Sequence, residues 1–84
     1  MRNFDEISES EVRGLTEQEL ARIGKNLKEL RVKNKLTLND VAFYLYSNIR
    51  TIERLELGKL KNTTILTLMK FAVFYGVPLK DLFL

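Results

Sequence analysis

Apolar residues recur along the chain at three- and four-residue steps, and no stretch sustains the two-residue alternation of a half-buried strand. The pattern predicts an all-α fold. One start signal occurs three times: an apolar residue, Ser or Thr, two residues, an acid, then another apolar residue. It stands at Ile7-Ser8 with Glu11-Val12, at Leu15-Thr16 with Glu19-Leu20, and at Leu36-Thr37 with Asp40-Val41. In each, the hydroxyl can accept from the N–H three residues on, the acid sits at the positive helix end, and the apolar pair can close as a staple. The first start predicts a short helix near residues 9–13, ended by Gly14. The second predicts a helix over residues 17–34, with Leu20, Ile23, Leu27 and Leu30 on one face. The third opens a helix over 38–45 that buries Val41, Ala42 and Leu45. Asn48 suits the N-cap of a helix over 49–56 that buries Ile52 and Leu55. Thr63 or Thr64 caps a helix over 65–75 that stops at Gly76, and Pro78 opens a last short helix over 79–84.

Composition narrows the chemistry. The 84 residues include no Cys, no His and no Trp. That excludes disulfides, thiolate nucleophiles, imidazole acid–base chemistry and Cys or His metal sites. The acidic residues show no calcium-loop spacing. A non-enzymatic protein with no metal and no small-molecule cofactor is expected. The longest apolar stretch, Phe71 to Leu79, is broken by Gly76 and Pro78 and falls far short of the ~20 residues of a membrane span. Met1 to Glu6 is acidic where an export signal would be basic and then apolar. The expected compartment is the cytoplasm, with no membrane partner.

Charge is unevenly placed. Residues 1–20 hold 2 basic and 6 acidic side chains, a net −4, whereas residues 21–84 hold 12 basic and 5 acidic, a net +7. An acidic arm over residues 1–15 thus precedes a basic domain over residues 16–84, and a basic domain suits a polyanion. Phe4, Ile7, Val12 and Leu15 are expected to pack the arm on the domain or its dimer mate; the alternative is an arm folded back on the basic face.

Residues Leu36 to Gly58 have helix-turn-helix spacing: two short helices, a tight turn at Tyr46-Ser47, small Ala42 at the helix crossing and Ile52 ten positions later as core anchor. The run Leu36-Thr37-x-x-Asp40-Val41-Ala42-x-x-Leu45, followed by Ile52-Glu53-Arg54-Leu55-Glu56-Leu57-Gly58-Lys59, resembles the Cro/repressor-type (Xre-like) helix-turn-helix domains. Ile23-Gly24-x-x-Leu27-x-x-Leu30-Arg31 before it extends the resemblance. So does Leu68-x-x-x-Ala72-x-x-x-Gly76-Val77-x-Leu79-x-x-Leu82-Phe83 after it. The resemblance implies a five-helix, lambda-repressor-like domain with a short N-terminal extension. It also implies a transcriptional regulator that binds double-stranded DNA as a homodimer on inverted repeats, and a structural ion pair between Arg31 and Glu56.

In that register, the helix over 49–56 lies in the major groove, where Ile49, Arg50, Thr51, Glu53 and Arg54 are the candidate base readers. Arg50 and Arg54 are four apart and share a face, and arginine can bond two atoms of a guanine edge. Thr37, Asn39, Asn48, Lys59, Lys61, Asn62, Thr63 and Thr64 are the candidate phosphate contacts. Phe74, Val77, Leu79, Leu82 and Phe83 are the expected dimer interface, with Phe43 and Tyr44 as the candidate face for a second protein partner.

Several residues depart from the family pattern. Tyr46 stands where a left-handed glycine is usual, so a reshaped turn is expected. Ser47 replaces an apolar plug, and Leu38 a DNA-contacting Gln. Leu38, Ile49, Leu57 and Leu60 keep a second function open: a helix-turn-helix scaffold used as a protein–protein interaction module with weak or no DNA binding.

Overall fold

A computed structural model describes residues 1–84. It contains four α-helices and no strand: α1 (Glu9–Lys33), α2 (Leu38–Tyr44), α3 (Ile49–Glu56) and α4 (Ile65–Tyr75). Two 3-10 turns, Phe4–Glu6 and Leu79–Phe83, flank them. The predicted fifth helix is therefore a 3-10 turn, and the α-helix count is four. No helix is long and apolar enough to cross a membrane.

Side-chain caps set every helix start. Ser8, Thr37, Asn48 and Thr64 accept from the N–H groups of Glu11, Asp40, Thr51 and Thr67 at 2.9, 3.1, 2.8 and 3.2 Å. Only Thr37 completes a capping box, its own N–H donating to Asp40 Oδ2 at 2.8 Å. Those bonds from Thr37 hold the Asp40 carboxyl below its usual range. Glu11 does not reciprocate for Ser8, because its carboxylate pairs with Arg2 instead.

The second predicted start is not a start. α1 runs unbroken through Gly14 and Thr16, and the Thr16 hydroxyl donates back to the Val12 carbonyl at 2.7 Å. A threonine inside a helix can bond the preceding turn in this way, and a lone helical glycine costs only about 1 kcal/mol. Neither outweighs the helix-favouring run Glu17-Gln18-Glu19-Leu20-Ala21.

Each α-helix ends in the same double bond. The N–H of the residue after the left-handed one reaches five residues back: Leu36 to Arg31, Ser47 to Ala42, Lys59 to Arg54, Val77 to Ala72, all within 3.1 Å. This closure needs one left-handed residue. Gly58 and Gly76 supply it at φ 72° and 70°, but Lys35 and Tyr46 supply it at 58° and 51°. The turn at Tyr46 is thus not reshaped; it keeps the left-handed geometry with a tyrosine in it.

The core joins all the helices. Ile23 and Leu27 of α1, Val41 and Ala42 of α2, Ile52 and Leu55 of α3, Leu68, Phe71 and Ala72 of α4, and Leu82 form one buried cluster. Gly24 lets α1 cross the end of α3. A Cβ there would fall 2.6 Å from the Leu55 carbonyl oxygen and closer still to that of Glu56. Asn26 pins the C-terminal 3-10 turn, its amide donating to the carbonyls of Leu82 at 2.9 Å and Leu84 at 3.0 Å.

Arg31 ties three elements together. Its Nε and Nη2 donate to the two Glu56 carboxylate oxygens at 2.8 and 3.0 Å, and Nη1 donates to the Leu36 carbonyl at 3.0 Å. The Glu56 bond raises the already high pKa of Arg31. Nearby, the Tyr75 hydroxyl is buried without a partner. Burial, reinforced by the Glu56 charge and opposed by Arg31, pushes its pKa up to about 12.

The arm stands clear of this core. The buried residues of α1 are Ile23, Gly24 and Leu27; Leu20 is half-buried, and the turns before Thr16 overhang. The radius of gyration is 14.3 Å, against about 12 Å for a compact chain of this length. Phe4, Ile7, Val12 and Leu15 are exposed. The arm neither packs on its own domain nor folds back on the basic face.

Two measurements check this packing. Gly24→Ala should lower unfolding stability in urea by about 1–3 kcal/mol, the range for an overpacked core. Gly14→Ala, whose Cβ would meet nothing within 4 Å, should raise far-UV helix content while leaving the urea midpoint nearly unchanged. For Tyr75, the folded state holds its proton longer than the unfolded chain, whose phenol titrates near ~10. That contribution is fully present below the unfolded pKa and is lost as pH rises through about 12. Tyr75→Phe should remove this alkaline loss and, by deleting an unpartnered buried hydroxyl, gain up to about 1 kcal/mol at neutral pH.

Candidate nucleic-acid interface

α2 and α3 form the two-helix unit, joined by Leu45 to Asn48. Ala42 and Ile52, the predicted crossing and anchor, are both buried. α3 is strongly two-sided. Ile52 and Leu55 face the core, Thr51 is half-buried, and Ile49, Arg50, Glu53 and Arg54 are exposed. The charged side chains of Arg50, Glu53 and Arg54 take part in none of the ion pairs of the molecule. Glu53 therefore does not hold either arginine, and both guanidinium groups keep their full set of donors for a ligand.

Thr51 is placed differently from its neighbours. Its hydroxyl donates to Asn48 Oδ1 at 2.9 Å, beside its own N–H on the same oxygen at 2.8 Å. This pair closes the start of α3, and only the Asn48 amide nitrogen remains free to donate outward. The first turn of α3 and that of α4 contain no acid, so the positive ends of both helices are uncompensated.

The other polar candidates gather beside these ends. Thr37 and Asn39 are exposed at the start of α2; Lys59, Lys61 and Asn62 are exposed in the loop before α4. Thr64 caps α4. Thr63 turns inward, its hydroxyl donating to the Leu60 carbonyl at 2.6 Å. The loop is held close to α1, since a Cβ on Gly58 would lie 2.7 Å from the Ala21 Cα.

The expected dimer set is divided. Leu82 is fully buried in its own core and cannot touch a partner; that assignment is corrected. Val77 and Leu79 are half-buried against the core, Phe74 stacks near Tyr44 at 5.9 Å, and Phe83 is at the edge of exposure. What the sequence pattern had not assembled is a face made by the end of α2 and the outer side of α4. Tyr44, Leu45, Tyr46, Leu66, Met69, Lys70, Val73 and Phe74 line one open groove of about 670 Å³ there. Leu66, Met69 and Val73 recur at three and four residues, and that spacing was the available signal.

Ser47 leaves a mark as well. A cavity of about 230 Å³ opens behind the turn, lined by Ser47, Ile52, Leu55, Leu60 and Phe71 among others. It lies where an apolar plug would sit.

A protein-family model described as helix-turn-helix matches residues 27–82. The chain belongs to the helix-turn-helix family. Its form is the Cro/Xre type, a family of DNA-binding regulatory domains. No curated protein and no solved structure shows significant similarity to the chain. The family match begins at Leu27 and takes in Arg31, Glu56 and all of α2, α3 and α4, while the overhanging turns of α1 lie outside it.

Within this helix-turn-helix unit, Ser47→Val should partly fill the cavity behind the turn. The expected gain is about 0.5–1.5 kcal/mol, the size of one or two methyl groups buried without strain, read from the urea midpoint.

Proposed function

We propose that the protein is a sequence-specific DNA-binding transcriptional regulator, acting as a homodimer on an inverted-repeat operator with α3 in the major groove. The observation that carries this is the outer face of α3: Arg50, Glu53 and Arg54 are exposed together and free of intramolecular pairing. Arg50 and Arg54 suit guanine edges, Glu53 a cytosine N4 and Ile49 a thymine methyl. Asn48 and Thr51 border the same face. Thr37, Asn39, Lys59, Lys61, Asn62 and Thr64, with the free N–H groups at the start of α4, suit the flanking phosphates. Thr63, turned inward, supports the loop.

The competing function is an interaction module with weak or no DNA binding, based on Leu38, Ile49, Leu57 and Leu60. Leu38 and Leu60 pack against the protein's own core, which accounts for two of the four without a partner. The unpaired arginines favour DNA.

Selection of bound sequences from a random duplex pool tests the proposal. The wild type should enrich a palindromic site and weaken steeply as salt rises, as phosphate neutralisation requires. Arg50→Ala with Arg54→Ala should lose about 10- to 1,000-fold in preference for that site, since each bidentate contact discriminates by roughly 1–3 kcal/mol, while keeping the salt-sensitive non-specific component. Full discrimination by the double variant would remove α3 as reader. An absence of any salt-sensitive binding would favour the interaction module.

A further inference from the structure

The face between the end of α2 and the outer side of α4 is apolar, contiguous and uncovered. Phe43, Tyr46, Leu66 and Val73 are 77%, 100%, 69% and 73% exposed. The Phe43 and Tyr44 rings lie 5.6 Å apart, and Tyr44 continues to Phe74 at 5.9 Å, so the aromatic and aliphatic parts form one surface. Tyr44 and Met69, 58% and 39% exposed, extend it. Six large apolar side chains open on one face, rather than scattered singly, mark an interaction surface.

The charge distribution says what covers it. The chain has 14 basic and 11 acidic residues, yet Lys70 is the one charged residue lining this groove. In a contact between two identical faces the residues on the twofold axis meet their own copies, so a lone charge near the axis is opposed by its like and the centre favours uncharged side chains. This face meets that condition, and Lys70 can lay its stem on the surface with its ammonium in water. A charged peptide or a polyanion would find only Lys70 here to pair with. Leu66, Met69 and Val73 form a ridge along α4 at three- and four-residue steps, the pattern that packs into the matching grooves of a second helix.

We propose, resting on the homodimer reading above, that the occupant is a second copy of this chain, the two copies meeting α4 to α4 about a twofold axis. Phe43, Tyr44 and Tyr46 flank the helix pair. The dimer contact thus borders the turn that leads into α3 and does not lie on the C-terminal segment.

Sedimentation of the wild type, Val73→Glu and Phe83→Ser tests the location. Val73→Glu places two carboxylates together in the apolar centre and should raise the dimer dissociation constant at least about 100-fold. Phe83→Ser should leave the dimer intact. Because the chain has no cysteine, single-cysteine variants give a second measurement that does not depend on a disruptive change. Met69→Cys or Val73→Cys should crosslink copy to copy on mild oxidation, and Phe83→Cys should not. A monomeric wild type, a Val73→Glu dimer as tight as wild type, or crosslinking through Phe83→Cys but not through α4 would each overturn the proposal. Binding of the same proteins to a short random-sequence duplex at low salt separates the two proposals. Dimer loss in Val73→Glu without DNA binding by either protein leaves the α4 surface standing and removes the DNA reading. DNA binding with an undisturbed Val73→Glu dimer does the reverse.

Discussion

The fold depends on one guanidinium. Arg31 sits on α1 and reaches two other points: both oxygens of Glu56, the last residue of α3, and the carbonyl of Leu36, just before the cap of α2. The side chains of the ion pair are only 13% and 6% exposed. A buried pair of this kind gains little net stability, because desolvation consumes most of the attraction. Its value is geometric. The planar guanidinium accepts one orientation of the carboxylate, so the axis of α3 is fixed relative to α1. The Leu36 bond fixes where α2 begins. Gly24, two turns earlier on the same face of α1, permits the approach that brings Glu56 within reach. The angle between α2 and α3, and hence the exposure of Arg50 and Arg54, follows from these contacts.

Much of this was legible in the amino-acid pattern. The bounds of α3 and α4 followed from Asn48, Thr64 and Gly76, whose capping chemistry is local and strong. The Thr37–Asp40 box was visible for the same reason. The expectation failed where a local signature met a competing one. Ser8, Thr16 and Thr37 carry the same spacing, but a hydroxyl can cap the turn ahead or bond the turn behind, and only the surrounding helix decides. At Tyr46 the left-handed backbone costs roughly 1–2 kcal/mol. The two terminal hydrogen bonds and the anchoring of Leu45 against the core outweigh it, so the turn keeps its shape.

The C-terminal segment shows a different limit. Leu79, Leu82 and Phe83 are all apolar, and an α-helical period does not say which of them faces in. In a 3-10 turn, residues three apart align. Leu79 and Leu82 therefore share the inner side, while Phe83 is turned outward. α4 presents the reverse problem. It is apolar on both sides, with Leu68, Phe71 and Ala72 buried and Leu66 and Val73 exposed. A helix apolar all round is expected to be covered all round, and the pattern alone does not tell which side its own chain covers.

The overhanging part of α1 gives the molecule an electrical shape. Residues 1–20 carry a net −4 and the remainder a net +7, and a rigid helix holds the two apart along a body 46 Å in its longest extent. Such a separation makes a permanent dipole far larger than the net charge of +3 suggests. Near any polyanion, a torque acts before contact is made: the acidic tip swings away and the basic end leads. In the DNA-binding role proposed above, the long helix would bias the orientation of approach through its charge rather than through contact.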